Sequence, residues 1–159
     1  MAVSTTHTGW HYDVDNTRLD FYYRGTRVGH IDASGLDLAV TGDFGVAAGT
    51  LDVQDGGTVI QGGGVRTTGV EINNYSGQVT VDDNSLAALT IVTHTVTNTK
   101  VSATDVIVLS KVSGDADTSA WVNAVASGSF NVSLRNNHDS SADTTAFVYN
   151  FVVIKGATS

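Results

Sequence analysis

The chain has 159 residues, a formal net charge of -8 and 41% hydrophobic residues, which suits one ordinary domain or two small ones with a buried core. The 8 basic residues are scattered and form no stripe that could neutralise phosphates, so a nucleic-acid partner is excluded. No apolar run approaches the roughly 20 residues of a membrane-spanning helix, the polar start from Met1 to Gly9 lacks a leader's apolar stretch, and the absence of cysteine removes disulfide and thiolate chemistry.

Aromatic residues gather early. Trp10, Tyr12, Phe21, Tyr22 and Tyr23 lie within 14 positions and account for 5 of the 12 aromatics. Trp10, Tyr12 and Val14 alternate on one strand face, Asp15-Asn16-Thr17 reads as a turn, and Leu19, Phe21 and Tyr23 share the next face. Arg24-Gly25-Thr26 closes a second hairpin onto 27–31. Residues 9–32 are therefore expected to form a three-stranded meander with one apolar face. A sheet that small cannot bury its face alone and must pack on the rest of the chain, a sister chain or a partner.

Glycine divides the sequence, with 13 of 17 glycines in residues 1–70. Gly35, Gly42, Gly49, Gly56 and Gly63 recur every seven positions, separated by short alternating runs: Leu36, Leu38 and Val40; Phe44 and Val46; Leu51 and Val53; then Val59. Alternation and glycine both argue against a coiled coil and for short strands ending in glycine turns. Such strands give one chain little apolar area, so intertwining of several chains, preferably three, is expected, with Leu36, Leu38, Val40, Phe44, Val46, Leu51 and Val53 at the interface. The other reading is a Gly-rich loop linking two sheets.

Beyond residue 70 the strands lengthen. Short strands are expected at 69–72 and 77–81, and 82–89 could hold one capped helical turn. The β-branched run 90–98 is a strand. Residues 105–112 and 146–155 are apolar on both faces, which predicts burial on both sides, in mid-sandwich or at a subunit interface. Strands are also expected at 120–126 and 129–135, the latter with Phe130, Val132 and Leu134 inward. The fold class is all-β: an N-terminal meander and Gly-repeat stem over 1–70, then a jelly-roll-like β-sandwich head over 71–159.

Motifs for chemistry fail one by one. His7 and His11 do not converge on an extended strand, and no third ligand follows. Asp13, Asp15, Asn16 and Asp20 begin like a calcium loop, but Arg18 and Arg24 stand where its glycine and final glutamate belong. Asp115 with Asp117, and Asp139 with Asp143, suit solvated loops better than calcium. Gly62-Gly63-Gly64 lacks the lysine of a phosphate loop, no serine sits in G-x-S-x-G, and Glu71 is the only glutamate. No catalytic residue, cofactor or metal is expected, and the chain reads as a non-enzymatic structural protein.

Residues 97–112 (TNTKVSATDVIVLSKV), 129–137 (SFNVSLRNN) and 147–156 (FVYNFVVIKG) resemble the C-terminal β-domain of many tailed-phage virion proteins, and 18–44 is similar to segments preceding their trimeric β-rich regions. The resemblance covers roughly two thirds of the chain and recurs in decoration proteins, tail fibres and tail spikes. It implies a homotrimer on the virion. The short length favours a capsid decoration (cement) protein on the outer capsid surface that binds the major capsid protein. Trp10, Tyr12, Phe21, Tyr22 and Tyr23 are then candidates for capsid contact. The alternative is a receptor-binding tail-fibre tip acting through the loops around 115–118 and 138–141. Neither assignment involves nucleic acid or membrane.

Overall fold

The computed structural model describes residues 8–33, 35–38 and 56–156. It is all-β, and among the described residues there is no helix. The chain divides into two compact units, 1–51 and 52–159.

The first unit is one antiparallel sheet in the order β1-β2-β3-β4. Its strands are β1 (Gly9–Asp13), β2 (Arg18–Tyr23), β3 (Thr26–Asp32) and β4 (Gly35–Leu38). The expected meander is present and gains a fourth strand. The Asp13 carboxylate accepts both the Asn16 backbone N–H (3.2 Å) and its side-chain amide (2.8 Å), tying the β1–β2 turn. The Asn16 amide is also the main reason the Asp13 pKa is lowered. Arg24 and Gly25 both take positive φ (49° and 78°), the requirement of a two-residue hairpin whose twist matches its strands. Leu36 and Leu38 fall in β4, whereas Val40, Phe44, Val46, Leu51 and Val53, with Gly42 and Gly49, lie outside the described residues.

The second unit is a two-sheet sandwich. One sheet has the order β10-β11-β8-β6: β10 (Thr118–Ala126), β11 (Ser129–Asn136), β8 (Ile91–Thr97) and β6 (Val70–Glu71). The other has the order β5-β7-β12-β9: β5 (Thr58–Ile60), β7 (Ser76–Val81), β12 (Phe147–Ile154) and β9 (Val106–Ser113). The strands expected beyond residue 70 all form, within one or two residues of their expected ends. The boundary expected at residue 70 falls instead between Leu51 and Asp52, because β5 pairs in parallel with β7 and β6 with β8. Main-chain pairing thus carries residues 58–71 into the head.

The core lies between the sheets. Phe130, Val132 and Leu134 point inward from β11 as their alternation requires, and Val96 joins them from β8. Val79, Val81, Phe147, Tyr149, Phe151 and Val153 close on them from β7 and β12. The Phe130 and Phe151 rings meet at 5.3 Å between centroids. The helical turn expected in 82–89 does not form. Leu86 is buried and bridges to Asp143, and Asp82 Oδ1 accepts the Asn84 N–H at 2.8 Å. Burial of Leu86 and local Asx bonding outweigh weak helix propensity there.

The C-terminal end of β12 is pinned by one carboxylate. Asp105 receives the Lys155 ammonium at 2.5 Å and the backbone N–H groups of Ser102 (2.8 Å) and Gly156 (3.0 Å). Chiefly through the Lys155 bond, the Asp105 pKa is held down to about 2, against an ordinary value of 3.8. A depressed carboxylate stabilises the fold above its unfolded value, and that contribution fades as pH falls from 3.8 towards 2. Lys155→Met should therefore lower Tm at pH 5 and leave the acid limb below pH 4 shallower than in wild type. Melting curves at stepped pH read both effects, and coincident acid limbs would contradict the assignment.

Candidate assembly surface

The first unit has two unlike faces, and the ladder register sorts its residues between them. On one face Trp10 stands opposite Phe21, and Phe21 opposite Gly29. In the next row Tyr12 stands opposite Leu19, Leu19 opposite Ile31, and Ile31 opposite Leu36. This apolar face is uncovered: Trp10 is 70% exposed, Leu36 59%, Tyr12 52% and Ile31 43%. Among its described residues the unit buries only Asp20 and Gly29.

The opposite face is ionic. Asp20 accepts Arg18 Nε at 2.9 Å, faces Arg27 Nη1 at 3.5 Å, and receives the Tyr22 hydroxyl at 3.5 Å. Arg18 also reaches Asp13 at 3.3 Å, and His30 lies 3.2 Å from Asp32. Polar side chains thus satisfy one another across this face, while Trp10, Tyr12, Ile31 and Leu36 stand exposed on the other.

The five aromatic candidates are therefore not one group. Trp10, Tyr12, Phe21 and Tyr23 share the apolar face by alternation. Tyr22 falls on the ionic face, where its hydroxyl serves Asp20. Val14, expected to extend the apolar row, lies in the turn after β1. A bulge in β3 at Val28 brings Arg27 opposite Tyr22 and so completes the Asp20 cluster. Nothing in local composition announces that bulge.

The head carries a second uncovered apolar row. In β9 and β12 Ile107, Phe151 and Val153 face the core, but Val106, Val108, Val112 and Ile154 point outward and are about half exposed. Of the two settings expected for these strands, mid-sandwich is not found, since the second unit covers only their inner faces, and a subunit interface is the other. β9 is an edge strand and β12 has no layer of the second unit on its outer side.

Two of the acidic loop candidates, Asp143 and Asp115, have structural partners. Asp143 is buried, receives the Thr118 hydroxyl at 2.7 Å and the Thr145 N–H at 2.8 Å, and faces Arg66 at 3.5 Å. Asp115 Oδ1 accepts the Asp117 N–H at 2.8 Å. His138 Nδ1 accepts the N–H groups of Ser140 and Ser141. His94, one of five histidines in the chain, is inside the sandwich and bonds the Tyr149 hydroxyl through Nε2 at 2.8 Å. No three His, Asp or Glu side chains among the described residues converge as metal ligands.

The class of molecule defined by these features is an all-β protein with a sandwich head and a separate sheet that leaves one apolar face open. Compared with protein-family models, with curated proteins and with solved structures, the chain matches none.

Proposed function

We propose that the chain is a non-enzymatic structural protein of a tailed-phage particle, a homotrimeric decoration protein that binds the assembled outer capsid and stabilises it. The observation that carries this reading is the open apolar face of the first unit, rimmed by Trp10, Tyr12, Ile31 and Leu36. Contiguous exposed apolar surface of this kind marks an interaction site, and Trp and Tyr are the side chains that dominate such contacts. The resemblance of residues 18–44, 97–112, 129–137 and 147–156 to phage virion proteins supplies the setting. Binding only the assembled shell would stabilise it by mass action, and three such faces on one trimer would raise the apparent affinity without added contacts per chain.

Two measurements test the reading. Light scattering should give three times the 16.5 kDa chain mass, and a monomer would refute the trimer. Trp10→Ser with Tyr12→Ser should abolish co-sedimentation with particles of the parent virus and leave the melting of the head unchanged. Undiminished co-sedimentation of that variant would sink the proposed contact face.

A further inference from the structure

The two sheets of the head end in β5, β9, β6 and β10, and these edges are not guarded alike. Sheets keep copies of themselves off a free edge by making it short, charged or bulged. β5 and β6 are edges of 3 and 2 residues. β10 is 9 residues long but bulges at Asn123. β9 is 8 residues long, and its bulge against β12 falls near one end, at Val112. Over 106–110 it pairs residue for residue with 150–154, and no described strand pairs with its other side. That stretch carries no charge, no proline and no bulge.

The surface beside this edge is apolar and uncharged. Val106 stands opposite Ile154 and Val108 opposite Val152, so four branched side chains adjoin on the outer face. Val106, Val108 and Ile154 are 55%, 46% and 52% exposed. Ser110 opposite Asn150 continues the row with neutral groups. The charges at its ends are turned elsewhere. Lys155 binds Asp105, and Lys111 donates to the carbonyls of Asp115 and Thr118. An apolar centre depleted of charge is the composition of a protein interface. A copy of this chain also carries a net charge of -8, and setting like charges together across a contact costs several kcal/mol. Copies therefore meet best through an uncharged surface, and a basic partner gains nothing there. The unguarded edge and the neutral row favour the same occupant.

We propose that a second copy of this chain docks on the β9 edge and the row of Val106, Val108, Val152 and Ile154. The number of copies rests on the trimer proposed above, in which three such rows meet around the axis. This contact lies in the head, apart from residues 36–53, where the sequence alone placed the interface.

Sedimentation and cross-linking of the full chain test it. Val108→Lys with Ile154→Lys should weaken self-association at least about a hundredfold, because it sets like charges together at the contact. Both positions are exposed within one chain, so the variant should keep the circular dichroism of wild type. The chain has no cysteine, so a single introduced one reports its own neighbours. Val108→Cys should form a covalent dimer with a short bis-maleimide. Thr95→Cys, exposed on the outer face of the other sheet, should stay single. The contact is overturned if the folded lysine variant assembles as wild type does, or if position 108 cross-links no better than position 95. With wild type a trimer, either result removes the contact and leaves the trimer standing. Wild type at 16.5 kDa would overturn both, and a wild-type dimer broken by the lysines would keep the contact and refute the trimer. Should the lysine variant not fold, the cross-link decides alone.

Discussion

Arg66→Met should destabilise the head by about 3–5 kcal/mol, the cost of leaving one partner of a buried ion pair uncompensated. Arg66 and Asp143 expose only 2% and 1% of their side chains and face each other at 3.5 Å. The guanidinium also donates to the backbone carbonyls of Asn84, Asp143 and Thr145, so it joins the loop before β6 to the loops before β8 and β12. Asp143 in turn holds Thr118 at the start of β10. Methionine fills the space of the arginine stem but strands a carboxylate and three carbonyls. For a domain of this size the loss corresponds to a fall in Tm on the order of 15–20 °C. Adding Asp143→Asn should recover about 1–2 kcal/mol, because the buried charge disappears while the amide oxygen still accepts the Thr145 N–H and the amide nitrogen can donate to the Thr118 hydroxyl. Denaturant titration of the three variants measures both effects. A single-variant cost below about 1 kcal/mol, or a double variant weaker than Arg66→Met, would contradict this account.

Acidification from pH 7 to pH 4 should remove about 3 kcal/mol of stability through one residue, His94. Its ring is buried between the sheets, with Nε2 bonded to Tyr149 and Nδ1 without a hydrogen-bond partner among the described residues. Desolvation pushes its pKa from 6.5 down to about 4. The unfolded chain therefore binds a proton that the folded chain refuses. Stability from this site is complete above pH 6.5, declines as pH falls through the interval, and levels off below pH 4. The Asp105 contribution fades only below 3.8, so the two windows separate. His94→Gln keeps a partner for the Tyr149 hydroxyl and removes the titration. Its stability should be nearly flat between pH 6.5 and 4.5, and a slope equal to wild type would assign the acid sensitivity elsewhere. At the alkaline end, burial raises the Tyr149 pKa, so stability should fall as pH rises past the ordinary phenol value of 10.0.

Much of the strand pattern was legible because it is written locally. The β-branched run 91–97 and the alternation 129–136 can bury an apolar face only as strands, and both do. The apolar row of Trp10, Tyr12, Leu19 and Phe21 was legible for the same reason, as alternation assigns faces without knowledge of partners. The same logic leaves two settings for the outer faces of β9 and β12. Two apolar faces signal that both want cover, but not whether the chain itself supplies it, and here Val106, Val108 and Ile154 remain outside.

The sequence by itself determined the all-β class, the positions of most strands and the hairpin at Arg24-Gly25, since these follow from alternation, β-branching and the freedom of glycine at positive φ. Tertiary structure alone decided which sheet each strand joined, the parallel docking of β5 and β6, and the bulge that brings Arg27 to the Asp20 cluster. It also decided the partners that matter most for stability. Arg66 and Asp143 lie 77 positions apart and His94 and Tyr149 lie 55 apart. No local rule couples residues at such separations, because what joins them is the closure of two sheets around a shared interior.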